Sequence, residues 1–174
     1  MISRLAYRTR QFRNTLLGSR TRIPSEALSP YLTSAQLSLF RRMQPSEQMH
    51  AYSMFKSLEV TGHANPDLLA AALLHDVGKT LHPLSILERV TVILGKHLFR
   101  GAARQWATGM PSGLRRPFVV AAQHAEWGAD LASQSGVTSQ TVELIRHHHD
   151  APLTNLGSQT ERLLVALQSA DDEN

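Results

Sequence analysis

The stretch LLAAALLHDVGK, residues 68–79, decides how the chain is read. Seven apolar residues run without interruption into His75 and Asp76, an adjacent imidazole and carboxylate. Asn65 precedes it as a helix N-cap, Pro66 takes the first helical position, Asp67 follows, and Gly78 serves as the stop. These signals predict a helix. One that is apolar all round belongs inside a helical core. A core helix ending in His-Asp carries two polar side chains to a buried place, where they need partners.

Outward from this helix the chain reads as helix almost throughout. TSAQLSLFRRM, PSEQMHAYSMFKSLEV, HPLSILERVTVILG, LRRPFVVAAQHAEWGADLASQSG, TSQTVELIRHHHD and SQTERLLVALQSADDEN are separated by Pro and Gly, and none shows sustained apolar/polar alternation. With 174 residues, the chain fits one domain with a real core. The expected fold is all-α, a single bundle of about six or seven helices spanning residues 26–174. Residues 1–25 stand apart. Ile2, Leu5, Thr9, Phe12 and Leu16 recur at spacings of three and four among arginines, so this segment reads as a basic arm or amphipathic helix.

Composition narrows the function classes. The absence of cysteine removes disulfides, thiolate metal sites and a cysteine nucleophile, and suits a cytoplasmic protein. No apolar run approaches the roughly 18–20 residues of a membrane span, and the N-terminus lacks the apolar centre of a secretory signal. Twelve of the 18 basic residues lie in two segments without acid, residues 1–25 and 89–125. Segregated positive charge points to anionic partners, such as phosphates or, for the N-terminal arginines, an anionic membrane surface or partner. No nucleic-acid-binding motif accompanies it, so nucleic acid is not the expected partner.

Nine histidines supply the chemistry, and six sit within or at the end of an expected helix: His50, His75, His124, His147, His148 and His149. SADDEN at the C-terminus adds Asp171 and Asp172. Facing helices of a bundle can gather such residues into one pocket. Imidazole and carboxylate without sulfur suit one or two divalent ions of intermediate hardness, Mn, Fe, Co, Ni or Zn. Neighbours on a helix point about 100° apart, so the three consecutive histidines cannot all face one pocket.

The order His50, His75-Asp76, His124, His148-His149, Asp171 resembles the HD-domain metal-dependent phosphohydrolase superfamily, and AALLHDVGK is similar to its signature segment. The resemblance covers about residues 33–172. It implies that His50, His75, Asp76 and Asp171 hold one metal, and that His124 with His148 and His149 holds a second. Lys79 matches a lysine that the HD-GYP branch keeps near its metals, and HAEWGADLASQSGVTSQTVELIRHHHD is similar to that branch's layout. The DG…GYP segment is missing; the chain reads APLTNLGSQ there, and Ser46 stands where a carboxylate is expected. Cyclic di-GMP is therefore not the expected substrate.

The expected activity is hydrolysis of a small phosphorylated compound, with a nucleotide as the expected substrate, by metal-activated water. Asp76 would position that water. Lys79 and some of Arg100, Arg104, Arg115 and Arg116 would neutralise phosphate. FRGAARQWATGMPSGLRRP reads as a basic lid, with Trp106 free to stack on a base. Two other classes stand beside this: a degenerate HD module that binds a nucleotide or partner without catalysis, and a di-iron oxygenase of the kind some superfamily members resemble. Metal content separates the three.

Overall fold

The computed structural model describes residues 22–151 and 157–174. Among them the chain forms eight α-helices and no strand. In order these are α1 (Ser34–Arg41), α2 (Pro45–Val60), α3 (Pro66–Leu74), α4 (Ile86–Leu98), α5 (Arg100–Trp106), α6 (Arg116–Gln134), α7 (Ser139–His147) and α8 (Gln159–Glu173). The fold is all-α, as the sequence implies, with one helix beyond the six or seven expected. That helix is α5, which lies in the stretch read as a lid and packs against α4 and α6. Most of the basic arm, residues 1–21, lies outside the described residues. Ile23 is already buried in the core, and Arg41 donates to its carbonyl.

Helix α3 occupies the centre. Asn65 Oδ1 accepts from the Leu68 N–H at 3.0 Å, which starts the helix. Every residue from Leu68 to Leu74 is buried, and α1, α2, α7 and α8 pack around them. Each of its four leucines contributes about 1.5–3 kcal/mol by leaving water, so the apolar run fixes α3 as the axis of the bundle.

The directions of the neighbouring helices then determine what meets at the end of α3. Asp67, in its first turn, accepts from the hydroxyls of Thr138 and Thr141 at the start of α7. The two helices are thus in register at their N-termini and run side by side. Eight residues on, α3 reaches His75; seven residues past Thr141, α7 reaches His148. At 1.5 Å per residue these paths differ by only ~1.5 Å, so the two histidines arrive together. Helix α2 joins α3 through a tight turn whose Gly62 takes φ 85°, a left-handed conformation that a side chain resists. Its N-terminal half, with His50, therefore lies beside the C-terminus of α3. Helix α8 brings Asp171 to the same place in its last turn.

Gly78 does not act as a left-handed helix stop. Helix α3 ends at Leu74, and the chain continues through Asp76 into a 3-10 turn over Val77–Leu81 that contains Gly78. The glycine is needed for another reason. A Cβ there would lie 2.6 Å from Gly128 N and 2.8 Å from His124 C, and closer still to the His124 carbonyl oxygen. Only glycine lets the turn carrying Asp76 lie flat on the α6 backbone at His124.

Candidate metal centre

Three histidines of this cluster share one arrangement. His75 Nδ1–H donates to the Ala72 carbonyl at 3.0 Å, His124 Nδ1–H to Val120 at 3.0 Å and His148 Nδ1–H to Ile145 at 2.6 Å. Each acceptor lies three or four residues earlier, the carbonyl a helix leaves within reach of a ring held at its end or bent back along it. The backbone thereby fixes the tautomer and directs an unprotonated Nε2 into the pocket. His75 Nε2 and His148 Nε2 are buried there without a hydrogen-bond partner, and so is Asp76 Oδ1. Buried polar atoms left in this way are costly, by about 1–3 kcal/mol each.

Asp76 stands between two sets of nitrogens. Its Oδ2 faces His75 Nε2 at 3.5 Å and accepts from Lys79 Nζ at 2.6 Å, while its Oδ1 faces His124 Nε2 at 3.3 Å. Because His124 already carries its proton on Nδ1, the facing atoms share no hydrogen. His50 Nε2–H donates to Asp171 Oδ1 at 2.9 Å, and that oxygen lies 4.0 Å from His75 Nε2. On the other side, His149 Nε2 and His124 Nε2 approach to 3.2 Å. The His148 ring centroid is 5.1 Å from that of His75 and 5.4 Å from that of His124.

Two triads emerge, His50–His75–Asp76 and His124–His148–His149, each with ligand atoms within 4.8 Å of one another. The donor set fits a divalent ion. Nitrogens about 2.0–2.1 Å from a tetrahedral ion stand roughly 3.3–3.4 Å apart, close to the spacings around Asp76 and between His124 and His149. Neutral, oriented imidazoles beside an ionised carboxylate are the protonation states that ligation requires.

The electrostatics favour those states. Burial opposes ionisation of Asp76, but the neighbouring positive charge, Lys79 foremost, more than offsets it and holds the carboxyl well below its ordinary range. Asp171 is likewise lowered, its burial outweighed by the His50 hydrogen bond and by His75. Burial pushes His124 down, helped by the charge of Lys79. Burial and the neighbouring His75 and His149 push His148 down further. His149 is lowered to about 4 by desolvation and His124. It stands at the exposed rim, where solvent weakens such an effect.

The remaining residues singled out from the sequence lie elsewhere. His147 turns outward to Glu143 at 3.3 Å and Asp150 at 2.7 Å. Arg116 pairs with Glu88 and donates to the Pro83 carbonyl, eight residues and ~12 Å along α6 from His124. Arg104 and Arg115 are exposed; Arg100 opens α5, and its side chain lies outside the described ones. Trp106 does not stand free as a lid residue: its ring packs edge-on against Phe118 at 5.1 Å.

One residue that sequence reading missed supports the site from behind. Glu47, buried one turn before His50, accepts from Arg89 Nη2 at 2.6 Å and from the Gln44 N–H at 3.0 Å. It caps α2 and ties it to α4, and so positions His50. The signal was available in the helix-start pattern PSE, but its partner Arg89 lies 42 residues away, which no local pattern shows.

Comparison with known proteins agrees with this geometry. A search of curated proteins and a search of solved structures each return no match. A family model described as HD domain matches residues 48–172, a span that runs from just before His50 to just past Asp171. The chain belongs to the HD-domain family, whose superfamily is one of metal-dependent hydrolases.

Proposed function

We propose that the protein is a divalent-metal-dependent phosphohydrolase acting on a small phosphorylated compound, a nucleotide first among them. The observation that carries this reading is the set of fixed, buried Nε2 atoms and the Asp76 oxygen turned into one pocket without hydrogen-bond partners. His50, His75, Asp76 and Asp171 would hold one ion, and His124, His148 and His149 a second. When bound, such ions lower the pKa of water and polarise phosphoryl oxygens.

The chain's own residues do the rest. The three Nδ1 hydrogen bonds hold the rings so that little reorganisation is needed on binding. Asp76, ionised and placed between the triads, is the group best situated to orient an attacking water. Lys79 is part-exposed beside it, and it can transfer its hydrogen bond from Asp76 Oδ2 to an incoming phosphate oxygen. As a compact ammonium it supplies charge without fixing the substrate's orientation. Arg116 is committed to Glu88, so Lys79 is the leading cation for substrate.

Phosphate release, measured on the metal-reconstituted protein across nucleotides, phosphomonoesters and cyclic di-GMP, tests the reading. Release from a nucleotide or small ester with Mn, Co, Ni or Zn, abolished by Asp76→Asn, supports it. Two bound irons with oxygen consumption would establish the oxygenase instead, and a metal-free protein that still binds nucleotide would establish the degenerate module.

A further inference from the structure

Helix α4 is turned inside out relative to an ordinary surface helix. Its inward side consists of Glu88, Arg89, Val92 and Gly95, with Phe118 filling the space above Gly95. Its outward side is mostly apolar, interrupted by Thr91 and His97. Leu87 is 79% exposed, Leu94 52% and Leu98 63%, and Ile86 and Ile93 flank them at helical spacing. Phe99 continues the stripe, and the loop after α5 adds Met110 and Leu114, the latter 95% exposed. Among the described residues, eight of the ten exposed large apolar side chains fall between Ile86 and Leu114. An exposed apolar concentration of this kind marks an interaction face.

Charge selects the occupant. No acid occurs from residue 89 to residue 125, and the one acid in α4, Glu88, is engaged by Ser85 and Arg116. Lys96, Arg104 and Arg115 are exposed in the same segment. A second copy of this face, or the basic segment of residues 1–21, would bring positive charge against positive charge. A lipid surface carrying anionic headgroups offers both the apolar phase and the complementary charge. Among the described residues no helix is long and apolar enough to cross a membrane, so α4 would lie in the plane of the interface. We propose that the protein docks on anionic membranes through the outward face of α4, with leucines in the acyl boundary and basic residues at the headgroups.

The full chain has no cysteine, so Leu94→Cys can be labelled uniquely with an environment-sensitive dye. Vesicles of phosphatidylglycerol and phosphatidylcholine should shift the dye to the blue; pure phosphatidylcholine should not, and high salt should reverse the shift. In co-sedimentation the Leu87→Glu/Leu94→Glu variant should bind the anionic vesicles at least ten-fold more weakly. Its helicity and metal content should be unchanged, since neither side chain is in the core or at the metal centre. A dye unmoved by anionic vesicles overturns the proposal. So does vesicle binding that the double variant leaves intact, which would assign it to the arginines of residues 1–22. A dye already shielded without lipid also overturns it: concentration-dependent shielding would mean a second copy covers α4, and concentration-independent shielding the chain's own N-terminal segment.

Discussion

Gly78→Ala adds one methyl group where the turn after Asp76 lies against α6, and its cost can be worked from the contacts. Ordinary van der Waals contact begins near 3.4 Å, and the new Cβ would be about 0.8 Å too close to Gly128 N and closer still to the His124 carbonyl. Both are backbone atoms of a buried 19-residue helix, so no side chain can swing away. Overpacking costs about 1–3 kcal/mol when side chains can adjust, and here the upper end applies. For a chain of this size ~3 kcal/mol corresponds to a fall of about 6–12 °C in melting temperature. The relief available is separation of the turn from α6, which pulls Asp76 away from His124, now 3.3 Å apart. Metal affinity should then fall by about 10–100-fold, as when a positioning contact is lost. Differential scanning calorimetry of the metal-free protein and titration with a chromophoric chelator measure the two effects separately. A variant melting within a degree or two of wild type and binding metal equally would refute the close approach.

Glu47→Gln removes the charge at the buried end of the Glu47–Arg89 pair and leaves Arg89 without its charge partner; because Arg89 is partly exposed, a loss of about 2–3 kcal/mol is expected in chemical denaturation. His147→Ala should change stability by less than about 0.5 kcal/mol and leave metal content alone, whereas His148→Ala should remove metal from its triad; equal, small effects on metal content would contradict the assignment. The metal-free protein should lose stability in acid. His124 and His148 have folded-state pKa values below the unfolded value near 6.5, so the unfolded chain binds more protons as pH falls through that range. Their contribution is fully present above pH ~6.5 and is lost on going down through the folded values, with the lowered Asp76 and Asp171 extending the loss below pH ~4. Melting temperature should therefore decline steadily from pH 7 to pH 4; a flat profile would contradict neutral, buried imidazoles.

Local signals were readable where chemistry and helix periodicity coincide. The apolar run of α3 with Asn65 and Pro66 identified the central helix, and the order of histidines and aspartates named the residues that the fold gathers. What the sequence did not reveal depends on contacts between distant segments. Gly78 reads as a helix stop because local rules see a glycine after a helix; its need comes from α6, about 50 residues later. Arg89 and Arg116 read as free positive charge until Glu47 and Glu88 are seen beside them. Trp106 reads as free for a similar reason, until Phe118 is seen beside it and Gln123 Nε2 is seen to donate to the Ala107 and Gly109 carbonyls.

Inductively coupled plasma mass spectrometry, run on wild type and Asp76→Asn after loading with Mn, Fe, Co, Ni or Zn and desalting, tests directly whether the triads His50–His75–Asp76 and His124–His148–His149 hold divalent ions. Wild type should retain up to two equivalents of one of these metals and Asp76→Asn at least ten-fold less, with helicity retained. Wild-type protein that retains no divalent metal, or an Asp76→Asn variant that keeps the full complement, would contradict that assignment.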